Sequence, residues 1–142
     1  MNEFIYWDDP GDSQDVVDNQ KEKNNLVAVY GTLKIGRGNH GLLSNSIYMG
    51  TARTKDLMRL CVVSLPYLVR GESEEGKNVL VELYYVDDST LASLDRLEGH
   101  PVYYKREKMK FTPEESIFSN EVEAWVYMVD ERYDNKKYYD EF

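Results

Sequence analysis

Asp88-Ser-Thr-Leu-Ala-Ser-Leu-Asp-Arg-Leu-Glu-Gly-His-Pro101 is the stretch whose reading decides the fold class. It opens on residues that favour a helix N-cap and repeats Leu at 91, 94 and 97. It stops at Gly99 with Pro101 just beyond, so the spacing predicts a helix of about three turns. The runs around it read differently. Leu26-Val-Ala-Val-Tyr30 is a short β-prone run closed by Gly31. Ile47 to Thr51, Leu57 to Val63, Tyr67 to Arg70, Val79 to Val86, Tyr103 to Phe111 and Val122 to Val129 follow the same pattern between turn clusters. One helix among many strands predicts an α+β domain, either a curled sheet or a small mixed barrel.

The chain has 142 residues, with 17 Lys and Arg against 26 Asp and Glu, a formal net charge of −9. That length suits one domain able to bury roughly two-thirds of its extended surface. The acidic balance argues against nucleic acid as a partner, because phosphate binding draws on clustered Lys and Arg. The charge sits at the ends. Residues 1–25 hold seven acids against two bases, with a Pro-Gly break at 10–11, and residues 130–142 hold five acids against three bases. This divides the chain into an acidic arm (1–25), a body (26–130) and an acidic tail (131–142). Both ends read as solvated extensions, the alternative being that they contact a basic protein partner. Cys61 lies alone in an apolar run, the start lacks a signal-peptide pattern, and no run approaches the ~20 apolar residues that span a bilayer. These features predict a soluble protein of the reducing cytoplasm with no membrane partner.

Within the helix, Glu98 follows Leu91 by seven positions, so at about 100° per residue the two side chains point within roughly 20° of each other. A carboxylate on the face meant for the core must be solvated in a pocket, paired with a cation or protonated. Burial and the helix C-terminus both push its pKa upward, the direction a general base needs near neutrality. The competing reading is a frayed last turn that releases Glu98 to water.

Tyr30-Gly-Thr-Leu-Lys-Ile-Gly-Arg-Gly-Asn-His40 follows a strand and holds three glycines. Such a loop can turn successive backbone N–H groups toward a phosphate or a carboxylate, or it can be a plain connection. Gly31 to Gly36 has the spacing that opens a P-loop, but Arg37 and Gly38 stand where its Lys and Ser/Thr belong, so the match fails at its chemical positions. Lys34 reads as an added charge or an ordinary loop lysine. The two histidines, His40 and His100, have no metal-ligand spacing, and no metal is expected. Asp87-Asp88 reads as a cap, and Asp95 as a partner for backbone or a neighbouring Arg.

Val29-Tyr-Gly-Thr-Leu-Lys-x-Gly-x-x-Asn-His40, followed by Leu94-Asp-x-Leu-Glu-Gly-x-Pro-x-x-Tyr-x-Arg106 with Pro66-Tyr67 between, resembles the γ-glutamylcyclotransferase-like family, nearest its γ-glutamylamine branch. The resemblance covers residues 26–130. It implies a small mixed β-barrel with short flanking helices and a cofactor-independent reaction. In that reaction the α-amine of a γ-glutamyl amide or isopeptide attacks its own γ-carbonyl, releasing 5-oxoproline and an amine. It further implies Glu98 as catalytic acid/base, Tyr30, Gly31, Thr32 and Leu33 as the substrate loop, and Tyr104 as a pocket-lining residue. The alternative is a non-catalytic module that binds an anionic small ligand in the same cavity while the acidic arms engage a protein.

Overall fold

A computed structural model describes residues 23–142; the arm at 1–25 falls outside these residues but for its last three. Among the described residues seven strands form a single sheet: β1 (Asn25–Val29), β2 (Ile47–Thr54), β3 (Arg59–Val63), β4 (Leu65–Val69), β5 (Leu80–Val86), β6 (Lys105–Ser116) and β7 (Val122–Val129). One α-helix, α1 (Asp88–Glu98), connects β5 to β6. The strand order is β1-β5-β2-β6-β7-β4-β3, and β1 also pairs with β7. Strands β1, β5, β2, β6 and β7 therefore close a five-stranded barrel, and the β3–β4 hairpin extends the sheet from β7. Pairings β1–β7 and β4–β7 are parallel and the rest antiparallel, so the sheet is mixed. Short 3-10 turns at His40–Leu43 and Glu131–Tyr133 flank it. No helix among the described residues is long and apolar enough to cross a membrane.

Two-residue alternation divides the strand side chains between two clusters. Ala28 and Tyr30, with Val81 and Leu83 of β5, join Leu60, Leu68, Phe111 and Val126 in the main core. Val27 and Val29, with Tyr84 and Val86, face the other way and pack beneath Leu91 and Leu94 of α1. Covered on both faces, β1 is a continuous apolar run rather than an alternating one.

One edge of β7 carries two partners. Strand β1 pairs with it at Trp125, and β4 takes over in the same direction at Met128 and Val129. The two cannot both fill the interval, and the Tyr30 side chain closes it from inside. Its hydroxyl donates to the Tyr127 carbonyl at 2.8 Å and accepts from the Leu68 amide at 3.0 Å. Those two backbone groups are buried, so each needs a partner.

The segment after residue 130 does not float as an extension. The Tyr139 amide donates to Leu60 and the Leu80 amide to Asp140, while Tyr138 and Tyr139 pack against the core. The Asp134 carboxylate meets the Arg59 guanidinium at 3.0 Å. The charge count gave no sign of this, because the docking uses tyrosine rings and main-chain bonds.

Tyr30→Phe removes the bridge and leaves a buried amide and a buried carbonyl unpaired. It should cost about 1–3 kcal/mol of stability in urea unfolding; a change within experimental error would show that the interval closes without the hydroxyl.

Candidate active site

Helix α1 starts at an Asp87 cap, whose side chain accepts from the Thr90 amide at 2.7 Å. It ends at Gly99, which takes the left-handed conformation (φ 68°) that glycine adopts without strain. The closing turn is tied down: the Gly99, His100 and Tyr104 amides donate to the carbonyls of Arg96, Asp95 and Glu98. The last turn is therefore not frayed, and Glu98 cannot follow the chain out to solvent. Leu91 and Leu94 are buried, whereas Leu97 is 42% exposed, so the third Leu of the stripe lies outside the core.

A cavity of about 180 Å³ opens where β1, β4 and β7 meet the end of α1, and Tyr30, Gly31, Thr32, Leu33, Glu98 and Tyr104 all line it. The six residues singled out in the sequence thus share one hollow. Their parts in it differ. Tyr30 lends main chain, since its hydroxyl is held within the barrel wall. Tyr104 donates across the cavity to the Pro66 carbonyl at 3.2 Å, and burial pushes its phenol up to about 12. Gly31 sits so close to the opposite wall that a Cβ there would meet Pro66 at 2.7 Å. Asn39, Leu65, Pro66, Leu97 and Tyr127 also line the cavity. Of these only Leu65 fell outside the runs and motifs named above, and none of the five was read there as a site residue.

The loop's polar groups are sorted by direction. The Gly31 and Thr32 carbonyls accept from the Lys34 and Asn39 amides, and His40 Nδ1 donates to the Leu33 carbonyl at 2.9 Å. The amides of Gly31, Thr32 and Leu33 donate to no group among the described residues. With its carbonyls engaged, the turn lines the cavity with three residues whose N–H groups have no partner among the described residues, the kind of donor set an anion-binding nest uses. Two contacts hold it in place. The buried Glu82 carboxylate accepts from the Ile35 amide at 2.9 Å, and Lys34 Nζ donates to the main-chain oxygen of Phe142 at 2.8 Å. Lys34 is thus engaged with the end of the described chain and does not line the cavity.

Two carboxylates one helical turn apart meet opposite fates. Asp95 accepts from Arg106 Nε at 2.8 Å and from the Tyr127 hydroxyl at 2.6 Å. Burial pushes its pKa up, but these hydrogen bonds outweigh that and hold it below the ordinary value. Glu98 has no hydrogen bond or ion pair from a side chain among the described residues, and burial alone lifts its pKa to about 7. The first is held as an anion, whereas burial brings the second close to half-ionised near neutral pH. Among the described residues, no group of three or more His, Cys, Asp or Glu is arranged to hold a metal.

The family described as "Gamma-glutamyl cyclotransferase, AIG2-like" matches residues 27–141. The chain belongs to that family. A Methanocaldococcus jannaschii protein named "Putative gamma-glutamylcyclotransferase" is 40% identical over 106 residues, covering 74% of this chain and 84% of its own. Gamma-glutamylaminecyclotransferase A of Danio rerio is 33% identical over 109 residues, 71% of this chain and 66% of that protein. The crystal structure of an AIG2-like protein from Mus musculus superposes with a TM-score of 0.76 at 25% identity, covering 83% of this chain and 87% of that one. The protein is an enzyme of the γ-glutamylcyclotransferase family, and the family's extent takes in the docked C-terminal segment.

A carboxyl group whose folded pKa is raised binds its proton more tightly when folded, so its ionisation opposes folding as pH rises from the unfolded value toward about 7. Glu98→Gln lacks this penalty. Between pH 4.5 and pH 8 the variant should gain on the wild type by about 1–3 kcal/mol in denaturant unfolding; a difference that does not move with pH would place the Glu98 carboxyl in water.

Proposed function

We propose that the enzyme is a γ-glutamylamine-type cyclotransferase that releases 5-oxoproline and a free amine, with Glu98 as general acid/base. The observation that carries this reading is the partly buried, unpaired Glu98 carboxylate sharing a cavity with the unpartnered amides of Gly31 to Leu33. The relatives named as γ-glutamylaminecyclotransferases support the amine as the leaving group.

The substrate supplies both nucleophile and electrophile, so the protein's task is to hold a folded conformer, where good alignment is equivalent to ~10⁵–10⁸ M. The Gly31–Leu33 amides receive the α-carboxylate or the oxygen that becomes anionic. The α-ammonium passes a proton to Glu98 and its nitrogen attacks the carbon of the γ-carbonyl, closing the five-membered ring through a tetrahedral intermediate whose ring nitrogen still carries two protons and a positive charge. Collapse then breaks the bond to the leaving nitrogen, which takes the proton from Glu98; the ring nitrogen gives its surplus proton to the freed Glu98 carboxylate, from which the released amine takes it and departs as ammonium. No water is consumed. An ammonium of pKa about 7.7–8.0 facing an ordinary Glu at about 4.3 would make the first transfer cost about 5 kcal/mol. With Glu98 near 7 the gap falls to about one unit, or ~1.4 kcal/mol. Tyr104 and Tyr127, whose protons are held by Pro66 and Asp95, wall the site without competing for that transfer.

A non-catalytic anion-binding module fits the loop but not the helix end, because a second carboxylate beside a bound one weakens binding.

A screen of γ-glutamyl amides, including γ-glutamyl-ε-lysine and glutathione, should detect 5-oxoproline release from at least one. Glu98→Gln should lower kcat/KM by ~10²–10⁴-fold with an unchanged circular dichroism spectrum. The wild-type kcat/KM should fall on the acid side of about pH 7, where Glu98 becomes protonated and cannot accept. Equal turnover by variant and wild type would remove Glu98 from the chemistry.

A further inference from the structure

The amide turn of Gly31 to Leu33 runs on into a stretch with little of its own to hold it. Ile35, Gly36, Arg37 and Gly38 are all exposed, Gly36 takes the left-handed conformation (φ 83°), and nothing stands within 4 Å of where a Cβ would sit on Gly36 or Gly38. The next buried apolar side chain after Leu33 is Leu43. Among the described residues, two from outside the loop hold it there: Glu82, at the Ile35 amide, and Phe142. The main-chain oxygen of Phe142 accepts from Lys34 Nζ at 2.8 Å, and the Arg37 guanidinium lies 4.3 Å from the centre of the Phe142 ring. Phe142 follows a segment that is itself docked, since the Tyr139 amide donates to the Leu60 carbonyl of β3 and the Leu80 amide of β5 donates to the Asp140 carbonyl. Lys34 is 8% exposed, and among the described residues the Phe142 oxygen is the one hydrogen-bond partner of its ammonium. A buried charge gives up such a partner only at high cost.

We infer that Phe142 and Arg37 are positioning residues, clasping the loop from outside the cavity so that the Gly31–Leu33 amides stand ready for the α-carboxylate of the substrate. The inference rests on the cyclotransferase reading. Neither side chain lines the cavity, so each acts only through the loop. Peptide dipoles stabilise an anion best when they are already aligned, and a turn free to rearrange loses part of the binding energy to its own ordering. Lys34 and Arg37 bracket Gly36, so holding both removes the freedom that this glycine otherwise confers. A carboxylate carries the same charge in the bound substrate and in the transition state. Loosening the amides that hold it therefore weakens both states alike, which appears in KM rather than in kcat.

The test uses the full chain and the best amide substrate of the screen above. Phe142→Ala should raise KM about two- to fivefold, the size of an exposed cation–π contact, with kcat nearly unchanged and the acid limb near pH 7 unmoved. Arg37→Ala should match it. The double variant should add nothing to the larger single effect, because either substitution alone opens the same clasp. Phe142→Tyr and Arg37→Lys keep the ring and the cation and should leave KM near the wild-type value. Trypsin gives a readout independent of turnover, since cleavage after Arg37 should be faster in Phe142→Ala than in the wild type. An unchanged KM in both single variants, a loss confined to kcat, or additive effects would overturn the positioning role, and an unchanged cutting rate would overturn the clasp itself. Absence of 5-oxoproline from every amide with the wild type would instead overturn the cyclotransferase reading and the role built on it, with the protease comparison still deciding whether Phe142 holds the loop.

Discussion

A single strand edge cannot serve two partners along the same interval, and that constraint generates the site. Strand β7 hands its edge from β1 to β4 between Trp125 and Met128. Where the handover occurs the chain of β1 must leave the barrel and that of β4 must enter it, so two backbones diverge and a hollow opens between them. The Tyr30 hydroxyl repairs the hydrogen bonding at the base of the gap. Above that repair the loop of Gly31 to Leu33 forms one wall and Leu65 with Pro66 another. Helix α1, seated on the outward face of β1 through Leu91 and Leu94, brings its last turn over the same place. The cavity is a product of topology before any catalytic group is added.

What distinguishes the catalytic carboxylate proposed here from its neighbour is the company each keeps. Asp95 and Glu98 lie one helical turn apart, yet Arg106 and Tyr127 hold Asp95 ionised while Glu98 is left with burial alone. Arg106 in turn lies 4.3 Å from the Trp125 ring, so the cation beside Asp95 is itself held against the barrel. Keeping that cation engaged leaves Glu98 unneutralised, and an unneutralised buried acid is the one whose proton is exchangeable near neutral pH.

Much of this was legible from residues alone, for local reasons. Apolar, β-prone runs between turn clusters marked all seven strands, and the cap and stop residues fixed α1 to within a residue of its observed ends. The helical angle between Leu91 and Glu98 located a carboxylate where the core should be, and the cavity lies on that side. The barrel closure was not legible from pattern, because β1–β7 is a parallel pairing between the first and last strands and nothing local encodes it; only the family resemblance implied it. The Leu stripe was misleading at its end, since periodicity treats Leu97 as equivalent to Leu94 when one is 42% exposed and the other fully buried. The docked segment after residue 130 escaped for a related reason: its acids dominate the charge count, while Tyr138, Tyr139 and a buried Asp134 do the packing.

The amide turn has a consequence for how the enzyme meets its surroundings. Partial charges on peptide dipoles act over a few ångströms and are shielded by the cavity walls, so dissolved electrolyte weakens them far less than it weakens exposed ammonium or guanidinium groups. Meanwhile the chain as a whole carries a net charge of −9, which repels an anionic visitor at long range until counterions shroud it. Attraction at the destination and repulsion on the approach thus respond unequally to ionic strength, and capture of a ligand of net negative charge by this surface is favoured in concentrated, salty media rather than dilute ones.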